Sequence, residues 1–100
     1  MSHNLAPAQQ DILTAATATA LDTRTQAQIA LVNLKISLAN EDIDQAKLHG
    51  AAVKRHGRTA GALGVQLSAL PLSPVANDAH FAISDTQTLA DQATTLLFSI

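Results

Sequence analysis

Cysteine is absent from this 100-residue chain, which excludes a disulfide framework, a thiolate nucleophile and any cysteine-based zinc or iron–sulfur site. Tryptophan and tyrosine are absent too, and only two phenylalanines are present, so the side chains that bury the most area each are nearly missing. Charge is sparse: Asp, Glu, Lys and Arg make up 14% of the residues and the formal net charge is −2. Slight acidity and a shortage of stacking rings both count against a dedicated nucleic-acid binder. Long apolar runs are missing as well. The longest uncharged stretch, residues 59–77, is interrupted by Gly61, Gly64, Pro71 and Pro74 and falls short of the roughly 20 apolar residues that span a bilayer. Residues 1–7 carry neither a Lys/Arg region nor an apolar segment of signal-peptide length. The expected location is the cytoplasm, or a particle such as a virion assembled there.

What is present is alanine. Hydrophobic residues make up 47% of the chain, yet twenty of them are Ala, leaving fourteen Leu, six Ile, four Val, two Phe and one Met to fill a core. That core is thin for a chain already at the small end of domain sizes. Partner subunits are therefore expected to supply part of the burial, which makes an oligomer the default. The bulky aliphatic content still exceeds that of disordered chains, and the net charge is small.

The patterning reads as one small, mainly α domain over residues 1–100. Pro7 sits where a proline starts a helix, and Ile12, Leu13, Ala16, Ala20 and Ala27 recur at helical spacing. Between residues 29 and 53 two patterns compete. As helix, Ile29, Val32, Ile36, Ala39, Ile43, Ala46, Gly50 and Val53 alternate in steps of three and four, a heptad seam. As strand, Val32, Leu34, Ile36 and Leu38 alternate with Asn33, Lys35 and Ser37, giving an α+β alternative with a strand near 29–39 and a new helix capped by Asn40. The absence of Gly and Pro between residues 8 and 49 favours helix, so a long Ala-rich helical region over 7–56 is expected, as one helix or two nearly in line. All four glycines fall between Gly50 and Gly64, so residues 57–78 read as a Gly/Pro-containing connection, extended from Val65 to Val75. In the C-terminal element, 79–100, residues His80 to Ser84 read as a short extended piece. Ser84 or Asp85 then caps a short last helix with Leu89, Ala93, Leu96 and Leu97 on one face.

Chemistry-bearing patterns are few. Lys47, Lys54, Arg55 and Arg58 lie within twelve residues together with His49 and His56, a cluster that could contact an anion or simply be a solvated helix end. Glu41, Asp42 and Asp44 lack the spacing of a calcium loop and suit a helix N-terminus, with Asp44 and Lys47 an i,i+3 pair. The four histidines, His3, His49, His56 and His80, are too dispersed for a metal motif, and His49 and His56 would stand about 10 Å apart on one helix face. No Gly-x-Ser-x-Gly elbow, Walker loop or dinucleotide fingerprint occurs. No enzyme activity, metal or cofactor is expected.

In composition the chain resembles the Ala/Gln/Thr-rich, aromatic-poor, cysteine-free helical subunits of bacterial axial structures and phage particles, a resemblance spread over the whole chain and carried by no motif. It implies a non-enzymatic structural subunit. The expected assembly seam is Ile29, Val32, Ile36, Ala39, Ile43 and Ala46, and the expected docking face is Leu89, Ala93, Leu96 and Leu97, with Val65, Leu67, Leu70 and Leu72 packing against neighbouring subunits. Two rivals remain: a nucleic-acid or anion-binding accessory protein using Lys47, Lys54, Arg55 and Arg58, and a small regulatory adaptor of a larger protein.

Overall fold

The computed structural model describes residues 6–70 and 76–100, and nearly all of them belong to three helices: α1 (Pro7–Ala39), α2 (Ile43–Ser68) and α3 (Ala76–Phe98). No strand occurs among the described residues. The helices pack side by side into an up-down-up bundle measuring 56 × 17 × 16 Å. The N-terminal half of α1 meets the C-terminal half of α2 and the N-terminal half of α3 in one core cluster, and the remaining halves form a second.

α1 begins as its sequence dictates. Pro7 occupies the first turn and the Ala6 N–H donates to Gln9 Oε1 at 3.0 Å, so the side chain three residues in satisfies the entry. Its buried line is Leu13, Ala16, Ala20, Thr23, Ala27, Ala30, Leu34 and Ser37, with Leu31 beside it, an unbroken alternation of three- and four-residue steps. The strand reading of residues 29–39 is thereby overturned. Its period of two arises because two helix faces are apolar here: Leu34 and half-buried Leu38 point into the core while Val32 and Ile36 point out.

The region over 7–56 is helical on both sides of residues 40–42, but not as one helix or two nearly in line, because the chain reverses there. The Asp42 N–H donates to Ser37 O at 2.9 Å and the Glu41 N–H to Leu38 O at 3.1 Å, with Glu41 at φ 59°. This is the 6→1 and 5→2 pairing of a Schellman stop, with glutamate at the left-handed position usually held by glycine. Asp42, not Asn40, then caps α2, accepting from the Gln45 N–H at 3.2 Å, and Asp44 lies in the first turn.

The glycines do not end α2. Gly50 and Gly57 lie on its buried face with Ala46, Val53, Ala60, Leu63 and Leu67, and Gly61 and Gly64 are half-buried beside it. A Cβ on Gly50 would stand 2.6 Å from Leu97 Cδ1, and one on Gly57 2.7 Å from Ala90 Cβ. Here glycine lets α3 approach closely. The connection expected over 57–78 is therefore helix as far as Ser68, and the extended reading of Val65 to Val75 holds for none of its described part; residues 71–75 lie outside the described residues. α3 starts at Ala76, so His80–Ser84 is helical and Ser84 and Asp85 are interior positions rather than caps. With 23 residues it is not short.

Candidate functional site

Among the described residues ten of the seventeen buried hydrophobics are Ala, with Leu13, Leu31, Leu34, Leu63, Leu67, Val53 and Ile83 the larger ones, whereas eleven large hydrophobics are exposed. Both phenylalanines are among the exposed. Single exposed apolar side chains are ordinary, but contiguous ones mark interaction surfaces. On α1, Ile29, Val32 and Ile36 are 51%, 55% and 53% exposed, and their spacing, continued by exposed Ala39, puts them on one stripe opposite the core line.

The seam expected from Ile29 to Ala46 is thus divided between two environments. Ile29, Val32, Ile36 and Ala39 form the outward stripe of α1, Ile43 is exposed at the start of α2 beyond the reversal, and Ala46 is fully buried inside the bundle. Gly50 and Val53, which extended that register, are likewise buried in α2's own packing. A heptad count runs through the turn because nothing in residues 40–42 interrupts the three-four alternation. The C-terminal face is used within the chain. Ala93 is buried and Leu89, Leu96 and Leu97 are half-buried against α1 and α2 residues of the second core cluster. Leu67 is buried and Leu70 packs on the first core cluster, Val65 is largely exposed, and Leu72 lies outside the described residues.

The basic cluster occupies α2, where Lys47, Lys54, Arg55 and Arg58 are all exposed. Lys54 and Arg58 stand one turn apart on one wall of an open groove between α2 and α3, floored by Gly57 and Gly61. Gln87, Asp91 and Thr94 of α3 line the other wall. The groove exists because glycine contributes no side chain to it. Among the described residues the one ion pair joins Arg24 of α1 to Asp85 of α3, 3.2 Å apart and solvent-facing, a contact worth about 0–1 kcal/mol. The Asp44–Lys47 pair is not made.

His49 and His56 sit two turns apart on α2 in register with buried Leu63, both half-buried. Burial holds the His56 imidazole below its ordinary pKa and the Arg55 guanidinium adds to this, while Asp22 of α1 acts in the opposite direction. His80 is exposed on α3, and His3 lies outside the described residues. Among the described residues no three His, Asp or Glu side chains gather as metal ligands, and no helix is long and apolar enough to cross a membrane.

The feature that composition and periodicity missed is the charge division between helices. α2 holds four cations against one carboxylate, Asp44, whereas α3 carries Asp78, Asp85 and Asp91 with no Lys or Arg. Correct helix boundaries would have revealed it, since both runs are contiguous in sequence. Comparison of the chain with protein-family models, with curated proteins and with solved structures gives no match.

Proposed function

We propose that this chain is a non-enzymatic structural subunit that self-assembles, or packs into a larger bacterial or phage particle in the cytoplasm or the virion, through the outer stripe of α1. One observation carries the reading: Ile29, Val32 and Ile36 form an exposed aliphatic stripe on α1 while ten of the seventeen buried hydrophobics among the described residues are alanine. A core of small side chains allows close helix approach but removes little apolar area from water, at about 25 cal/mol per Å². Burying Ile29, Val32 and Ile36 against another surface supplies what the interior lacks. The stripe is uncharged and nearly symmetric about residues 32–33, with Ile29 and Ile36 at either end. A second copy laid antiparallel brings the Ile29 of each copy against the Ile36 of the other, the self-complementarity that a two-fold contact requires.

The test is Ile36→Asp, studied by light scattering over a concentration series with far-ultraviolet circular dichroism on the same samples. Ile36 is half exposed, so the helical content should be unchanged while the mass falls to that of the monomer. A variant that still assembles with unaltered stability removes the reading. A wild-type chain that is monomeric alone yet co-purifies with one larger protein through the same stripe makes it an adaptor instead.

A further inference from the structure

We infer that the groove between α2 and α3 binds a small zwitterion with a surplus of negative charge, an acidic amino acid such as glutamate being the simplest. This binding depends on neither the α1 stripe nor self-assembly. Three charges line the groove without meeting. Gly57 of α2 packs on Ala90 of α3, which sets Asp91 opposite the turn of α2 that carries Lys54 and Arg58. Those two cations are one turn apart, about 5–6 Å between Cβ atoms, and both line the groove with Asp91. Asp91 pairs with neither, since the one ion pair among the described residues is Arg24–Asp85. Gln87 lines the groove with its amide free of any hydrogen bond within the chain. Thr94 Oγ1 donates to Ala90 O at 3.0 Å, which commits its proton and leaves its lone pairs as acceptors. Two cations on one wall thus face a carboxylate, an amide and a hydroxyl acceptor on the other, in about 580 Å³, the size of a small-molecule site.

Gly61 is an independent sign that this space is used. Gly50 and Gly57 are dictated by packing, because an added Cβ would stand 2.6 Å from Leu97 Cδ1 and 2.7 Å from Ala90 Cβ. At Gly61 an added Cβ meets nothing nearer than Gln87 Nε2 at 3.5 Å, so no packing requirement offsets the poor helix propensity of glycine there. What a methyl at 61 would do is stand in the groove beside Gln87. Functional sites commonly give up stability in this way. The charges then select the ligand. A plain anion on Lys54 and Arg58, a nucleic-acid phosphate included, would lie against the Asp91 carboxylate, and a plain cation on Asp91 would lie against both basic groups. Two carboxylates and one ammonium on a short carbon chain match all three. The carboxylates reach Lys54 and Arg58, and the ammonium reaches Asp91 and Thr94 Oγ1, each through charge-assisted hydrogen bonds.

The experiment is isothermal titration calorimetry of the full chain with L-glutamate, with glutarate as the probe that keeps both carboxylates and lacks the ammonium. Glutamate should bind saturably, and glutarate about tenfold more weakly. Asp91 and Arg58 are exposed, so their replacement should leave the helicity intact. Asp91→Asn should weaken glutamate about tenfold and tighten glutarate, because the repelling carboxylate is gone. Arg58→Gln should weaken both probes. Gly61→Ala should weaken glutamate while raising the urea midpoint, a combination that damage to the fold cannot produce. Ile36→Asp should titrate as wild type does, which separates this site from the α1 stripe. Heats that do not saturate overturn the site. So does glutarate or inorganic phosphate binding as tightly as glutamate with Asp91→Asn without effect, which leaves a simple anion contact at the basic residues. A Gly61→Ala protein with wild-type affinity overturns it too, because the open floor would then serve nothing.

Discussion

At the scale of single residues, the glycines of α2 show how one residue type can carry opposite requirements. Glycine in a helix interior costs about 1 kcal/mol relative to alanine, so each of the four would be expected to weaken the helix. Gly57 is retained against that cost by geometry: a methyl there would meet the Ala90 methyl at 2.7 Å, and a Cβ fixed to a neighbouring helix cannot swing aside. Gly57→Ala should therefore destabilise the protein by about 1–3 kcal/mol despite its better helix propensity. At Gly61 the nearest atom to an added methyl is Gln87 Nε2 at 3.5 Å, ordinary contact with a flexible side chain. Gly61→Ala should stabilise by about 0.5–1 kcal/mol. Urea denaturation of the pair reads both signs, and a stabilising Gly57→Ala would mean that α2 and α3 stand farther apart than their glycine contact implies.

At the scale of elements, helix identity was legible and helix boundaries were not. The mainly α class follows from Pro7 at the N-terminus and from the three-four spacing of Leu13, Ala16, Ala20 and Ala27, which the structure buries. The reversal at residues 40–42 was hidden because its left-handed position holds Glu41 rather than glycine, so no stop signal interrupts the pattern. Conversely, four glycines and the nearby prolines signalled an ending that packing against α3 overrides. Glu41 carries a testable cost. A non-glycine residue in the left-handed region is disfavoured by about 1–2 kcal/mol, and replacing it by glycine returns part of that as added freedom of the unfolded chain, about 0.4–1 kcal/mol. Glu41→Gly should thus raise stability by about 0.5–1 kcal/mol, with helicity unchanged. A fall in the denaturation midpoint would show that the glutamate side chain supports the turn.

At the scale of the whole molecule, the candidate surfaces were half legible for the same reason. The residues of the α1 stripe could be named from their spacing, but whether a stripe faces in or out depends on which of two apolar faces the partner helices cover, and alanine, with its small contribution to hydrophobicity, gives the true core line little contrast. The bundle has a polar waist between its two core clusters: Thr23 of α1, Thr86 of α3 and, from α2, His56 beside Gly57. Thr86 satisfies its own hydroxyl by donating to Ala82 O at 2.7 Å. His56 has a titratable ring at that waist, with burial first and Arg55 second holding its pKa below the ordinary 6.5. Because the folded value lies below the unfolded one, folding favours the neutral ring; that contribution is complete above the unfolded pKa and is lost as pH falls through 6.5 toward the folded value. Thermal unfolding of wild type should therefore shift to lower temperature between pH 7.5 and about 5, and His56→Gln should reduce the shift. The Asp22 carboxylate acts in the opposite direction and raises the pKa, so Asp22→Asn should steepen it. An equal pH dependence in all three proteins would place the acid sensitivity of the bundle elsewhere than at its waist.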